Sequence, residues 1–162
     1  MIMKKELLKV ALIVMALFSS FSYVSAQIGP VTSISERASS LPETITKFLN
    51  SYYPGIEVTE VELETFKNIY DVELINGVDL KFHSKTGEWR EIDAPDHMSL
   101  HKNMLYDILP SSIYNYIDSN MLVNKINEVE YKPQMGYKIE TIRGRDIYFN
   151  LNGKKISKPS MW

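Results

Sequence analysis

Residues 70–89 read YDVELINGVDLKFHSKTGEW. Tyr70, Val72 and Leu74 alternate with Asp71 and Glu73, the two-residue period of a strand with one buried face. Asn76-Gly77 follows, and both residue types tolerate the positive φ of a two-residue hairpin turn. Leu80 and Phe82 then alternate with Asp79, Lys81 and His83. Lys85-Thr86-Gly87 turns the chain again, and 88–93 reads as a further strand carrying Trp89. One strand precedes the stretch. In 57–64, EVTEVELE, Val61 and Leu63 oppose Glu60, Glu62 and Glu64, and Lys67-Asn68 supplies the turn onward. Together these predict a four-stranded antiparallel meander with one apolar and one polar face.

A helix is expected before the meander. Ile45, Phe48, Leu49 and Tyr52 fall on one helical face, and Pro54-Gly55 ends it. Ser40 and Glu43 have the spacing of a capping box, with Pro42 in the first turn. Leu100, Met104 and Ile108 predict a short helix in a connector at 94–108.

The unit is then written again. Leu109-Pro110 and Ile113 match Leu41-Pro42 and Ile45 at an offset of 68, and Ser119 matches Ser51. Glu128-Val129-Glu130 match Glu60-Val61-Glu62 at the same offset. After one deleted residue, Tyr137, Glu140, Gly144, Asp146 and Phe149 match Tyr70, Glu73, Gly77, Asp79 and Phe82. The second copy departs at Arg143, which stands where Asn76 stood, and no Trp follows Gly153 as Trp89 follows Gly87. A unit of about 50 residues is too small to rely on its own core, so the two should pack together. The expected fold is α+β: two tandem repeats, each a helix followed by a four-stranded antiparallel meander. Their sheets should be adjacent or joined, with the helices on one side.

The first 26 residues read as a secretory signal peptide. Lys4, Lys5 and Lys9 precede an apolar run at 10–18, then small residues end at Ala26, with cleavage expected between Ala26 and Gln27. The run is shorter than the roughly 20 residues a membrane span needs. Domain organisation is therefore expected as signal peptide 1–26, flexible leader 27–39, repeat one 40–93, connector 94–108 and repeat two 109–162. The mature chain should be periplasmic or secreted, with no membrane attachment. The whole chain carries −2, and the signal segment +2, so the mature part is near −4. That balance argues against nucleic acid, which calls for a basic stripe. With no cysteine, thiol catalysis, thiolate metal sites and disulfides are excluded.

The stretches quoted above resemble the PepSY-like family of exported bacterial proteins, also described as beta-lactamase-inhibitor-like. The resemblance runs through Leu41-Pro42, Pro54-Gly55, the strand around Val61, the Asn76-Gly77 hairpin, Phe82 and Gly87-Glu88-Trp89. It covers most of 41–157. It implies tandem helix-plus-four-stranded units, common in gut Bacteroidetes, and likeness to an inhibitor that grips its enzyme with a concave sheet. It carries over no catalytic residue.

Enzyme motifs are missing: no nucleophile elbow, phosphate loop, dinucleotide fingerprint or HExxH helix. The protein is read as a non-enzyme with no cofactor. His97 and His101 stand four apart, with Asp93 and Asp96 close by, but Pro95 spoils a helix there, so no metal site is assigned. The acidic series Glu60, Glu62, Glu64, Asp71 and Glu73 suits a cation or a basic partner, or is a plain solvated face, with Lys81 and Lys67 as compensation. The expected function is binding of an envelope or extracellular protein or peptide through the open sheet face, in an inhibitor-like manner. Candidate contact residues are Trp89, Tyr148, Glu60, Glu62, Lys81, His83, Glu128 and Glu130. Trp89 is weighed equally as a plug between the two units. The alternatives are a small-ligand or metal carrier using the groove between repeats, and a protein that assembles with itself.

Overall fold

The computed structural model describes residues 37–162, so the signal peptide, its cleavage point at Ala26-Gln27 and most of the leader lie outside the described residues. Helix α1 (Glu43–Tyr52) precedes strands β1 (Val58–Glu64), β2 (Ile69–Leu74), β3 (Asp79–His83) and β4 (Trp89–Asp93). Helices α2 (Lys102–Ile108) and α3 (Ser111–Ser119) precede β5 (Ile126–Lys132), β6 (Gly136–Thr141), β7 (Arg145–Phe149) and the two-residue β8 (Lys155–Ile156). All eight strands form one sheet in chain order, and every neighbouring pair is antiparallel. Joining occurs at β4 and β5, which pair through Glu91–Glu130, Ile92–Val129 and Asp93–Glu128.

One apolar row crosses the sheet. Val61, Val72, Leu80, Ile92, Val129, Ile139 and Ile147 are paired in succession across seven strands. A second row includes Phe82 and Phe149. The helices cover this face: Phe48 of α1 meets Phe82 edge-on at 5.2 Å, and Tyr116 of α3 meets Phe149 at 5.3 Å. Met104 and Leu105 of α2 join the same core. Strand alternation then leaves the opposite face to polar side chains.

Three local expectations are corrected. The capping box does not form. Pro42, in extended backbone, is the N-cap, and its carbonyl accepts from Ile45 and Thr46. Ser40, two residues too early, donates to the Arg37 carbonyl at 2.8 Å, while Glu43 pairs with Lys47 at 2.7 Å. Ala38, assigned to the leader, lies in a short 3-10 turn at Ala38–Ser40 and is 1% exposed in the core.

The Asn76-Gly77 turn is also longer than expected. Gly77 N–H donates to Leu74, and Leu74 N–H to Val78, closing a three-residue loop in which only Gly77 has positive φ, at 82°. Gly144 does the same with Thr141, at φ 71°. The position before the glycine keeps negative φ, which any residue adopts. Arg143 in place of Asn76 is therefore no defect of the second turn.

Candidate functional site

The open face of the sheet is built by strand register. Paired residues of an antiparallel ladder project to the same side. Glu60 pairs with Glu73, Glu73 with Asp79, Asp79 with Asp93, Asp93 with Glu128, Glu128 with Glu140, and Glu140 with Asp146. Seven carboxylates thus stand in one row across seven strands, a span of roughly 30 Å at the usual strand spacing. The next row reads Glu62, Asp71, Lys81, Glu91, Glu130, Lys138 and Tyr148. At the β4–β5 seam four carboxylates confront one another in two pairs, Glu91 with Glu130 and Asp93 with Glu128.

Like charges directly opposite repel, so the face needs counter-charge. Lys81 supplies it on one side of the seam, 2.8 Å from Glu91 and 4.0 Å from Asp79. Lys138 supplies it on the other, 2.8 Å from Glu128 and 3.2 Å from Glu140. Lys132 lies 3.0 Å from Glu130. Lys67 pairs locally with Glu64. Burial, more than neighbouring charge, raises the proton affinity of three carboxyls in the row. Burial, followed by hydrogen bonding with Asp71 and its charge, pushes the Asp79 carboxyl up to about 7. Burial also pushes Glu128 up to about 7, with Lys138 opposing and Glu140 adding to the rise. Burial and the charges of Glu91 and Glu140 raise Asp93.

Among the expected contact residues, Glu60, Glu62, Lys81, Glu128 and Glu130 all stand in these two rows. His83 lies in a neighbouring row opposite Ile69 and is tied to its own turn, its Nδ1 3.1 Å from the Thr86 hydroxyl. Tyr148 is in the expected register but is covered: it is 5% exposed, and its hydroxyl donates to Asp146 at 2.7 Å.

Trp89 is not on the open face. Simple alternation would put it beside Glu91 and Asp93. Instead β4 bulges, so that Lys81 pairs with Glu91 but Phe82 pairs with Trp89. One extra residue flips the indole to the helix side. There it is half-buried against Tyr131, at 5.8 Å between ring centroids, and Tyr137, at 6.3 Å.

Several residues of the face were not singled out from the sequence. Asp79, Glu91, Glu140 and Lys138 sit on the polar side of their strands, and only the cross-strand register brings them together. Trp162 gave no signal, because it follows the last strand. Its indole N–H donates to Glu130 at 2.8 Å on this same face.

His97 and His101 do not share a helical face, because α2 begins at Lys102, after both. His101 instead lines a cleft of about 580 Å³ with Tyr52, Tyr53, Asn76 and Asn103. Among the described residues no group of three or more His, Cys, Asp or Glu side chains is arranged to hold a metal ion. Nor is any described helix long and apolar enough to cross a membrane.

No curated protein matches this chain in sequence. Solved structures do. One from Bacteroides vulgatus, described as a "putative periplasmic protein of unknown function", is 25% identical, with a TM-score of 0.61, over 76% of this chain and 94% of that one. A second "putative periplasmic protein" from Bacteroides vulgatus is also 25% identical, with a TM-score of 0.60, over 74% and 90%. A third, a "putative calcium-regulated periplasmic protein" of Bacteroides thetaiotaomicron, is 22% identical and shares the fold at a TM-score of 0.61, over 74% and 90%. The family model described as "Putative beta-lactamase-inhibitor-like, PepSY-like" matches residues 32–87 and again 68–157. This chain belongs to that PepSY-like, beta-lactamase-inhibitor-like family.

Proposed function

We propose that this is an exported, non-catalytic binding protein whose open sheet face takes a basic protein or peptide. The supporting observation is the row of seven carboxylates from Glu60 to Asp146, with two lysines at the seam as its nearest counter-charge. Such a face attracts cationic surfaces over a distance set by salt, and disfavours acidic ones. The periplasmic description of the similar structures agrees with export. Occlusion of an enzyme by this face is the sharper form of the same idea.

The chain is further read as one unit written twice, at 40–93 and 109–162. In support, β1 and β5 carry bulges at matching places, before Glu60 and before Glu128. The turn glycines Gly77 and Gly144 correspond, as do the contacts of Gly87 with Thr44 and of Gly153 with Ser112.

The test uses mature 27–162 as immobilised bait for lysine-rich peptides and for envelope proteins of the source bacterium. A variant carrying Glu60→Gln, Glu73→Gln and Asp146→Asn removes three exposed carboxylates of the row. Capture at low ionic strength should be lost in the variant, and in wild type at about 0.5 M salt, where the screening length falls to a few ångströms. If folded wild type captures nothing cationic at low salt, the open face is not a basic-partner site.

The cleft beside His101 supports a second reading, a small polar ligand held between α1, the β2–β3 turn and the start of α2. Tyr53, whose hydroxyl lies 3.6 Å from the Met104 sulfur, would form its wall. A thermal-shift screen of envelope sugars, with His101→Ala as control, separates the two.

A further inference from the structure

Residues 157–162 fold back over the open face of the second half. Trp162 is the anchor. Its N–H donates to the Glu130 carboxylate at 2.8 Å, its ring meets Tyr148 edge-on at 5.4 Å, and the Lys132 ammonium sits 4.7 Å from its centroid. Lys158 lies over Tyr148 at 5.9 Å. The seat under the indole is held in place independently. Lys132 fixes Glu130, and Asp146 fixes the Tyr148 hydroxyl.

Little else holds the segment. Among the described residues its one backbone hydrogen bond is its own turn, from Trp162 N–H to the Pro159 carbonyl at 3.3 Å. Met161 is 84% exposed. Tryptophan is enriched among the anchors of protein interfaces, and a cation over the indole face adds attraction. Here the chain supplies both the anchor and its seat.

We propose that Glu130, Tyr148 and Lys132 form a recognition seat for a tryptophan that follows closely on a lysine, and that residues 158–162 fill it in cis. The occupant in trans is a peptide segment of the same chemistry, which must displace the chain's own segment to bind. This rests on the open face being the binding face, and it adds what one part of that face selects. Tethering gives the cis segment a millimolar effective concentration, so it competes with weak partners and yields to strong ones.

The experiment compares the mature chain with its Trp162→Ala variant, both checked for folding by circular dichroism. The probes are the labelled pentapeptide of residues 158–162, KPSMW, and a pentalysine peptide, each titrated by fluorescence anisotropy. The expected result is at least a tenfold tighter pentapeptide affinity for Trp162→Ala than for wild type, lost again when Glu130→Ala, which removes the acceptor of the indole N–H, is added. Equal affinity for the two chains, or no pentapeptide binding to folded Trp162→Ala, overturns the seat. Pentalysine reports separately on the broader reading. If it binds while the pentapeptide shows no dependence on Trp162, the basic-partner function stands and the seat falls. If only the pentapeptide binds, and does so with the expected dependence, the seat stands without the wider acidic site.

Discussion

Glu128 and Glu140 face one another on β5 and β6, and a single ammonium, that of Lys138, bonds to both, at 2.8 and 3.2 Å. All three side chains are mostly sheltered, with 14, 26 and 16% of their area exposed. Removing the cation leaves two opposed carboxylates without it. Lys138→Met should destabilise the chain by about 2–4 kcal/mol at pH 8, somewhat below the roughly 3–5 kcal/mol for stripping one partner from a fully buried ion pair, because these side chains keep some contact with water. Urea denaturation measures it. Adding Glu128→Gln should recover much of the loss, because the repelling partner goes too.

Two carboxylates of the row, Asp79 and Glu128, set a pH dependence. Asp79 and Glu128 hold their protons up to about 7 in the folded chain. An unfolded chain releases them near 4. Between those values the folded state binds more protons, so stability falls as pH rises through the window. Lowering pH from 8 to 5 should therefore raise the melting temperature by a few degrees. The double variant Asp79→Asn, Glu128→Gln should show a flatter profile. A wild-type melting temperature that climbs with pH would mean these groups are not protonated in the folded state.

Most of the sheet was legible from alternation, because the middle strands bury one face and solvate the other; β7, which buries Ile147, Tyr148 and Phe149 in succession, and the two-residue β8, which buries neither residue, are the exceptions. The acidic row was only half legible. Each strand's carboxylates could be seen, but a row across strands exists only once each hairpin's length fixes register, as the three-residue loops at Gly77 and Gly144 do. Trp89 shows the limit most clearly. Its side depends on one bulged residue in β4, and nothing in the local pattern announces a bulge. Trp162 was invisible for a different reason. Its place is set by partners on β5 and β7, distant in sequence, and not by periodicity.

Gly87 and Thr44 make a second test of local geometry. Gly87 has φ 69°, and a Cβ built there would lie 1.9 Å from the Thr44 hydroxyl oxygen. Gly87→Ala therefore meets two costs, a left-handed backbone and a clash with α1. The backbone term alone is about 1–2 kcal/mol. The substitution should lower stability by at least that much in urea denaturation. Thr44→Ala in the same chain should remove the hydroxyl part of the clash but leave the Thr44 Cβ, 2.7 Å away, and the backbone term, so recovery should be partial. Complete recovery would mean that the backbone conformation contributes nothing.

The seam between β4 and β5 offers the last prediction. Ile92 is 0% exposed and stands between Leu80 and Val129 in the apolar row. Ile92→Ala should cost about 2–5 kcal/mol, as for other deletions of a fully buried aliphatic side chain. Its second consequence is more informative. One continuous core lies under both halves, so neither half has a core that it can keep when the seam opens. Native-state hydrogen exchange should therefore show the amides of Val72 in β2 and Ile139 in β6 losing protection together, by the same free energy, in Ile92→Ala. The carboxylate pairs Glu91–Glu130 and Asp93–Glu128 oppose this seam from the other face, and Ile92–Val129 is the apolar pair between them. If β2 exchanged unchanged while β6 loosened, the halves would be separate folding units held only by contact, and the open face would be two surfaces instead of one.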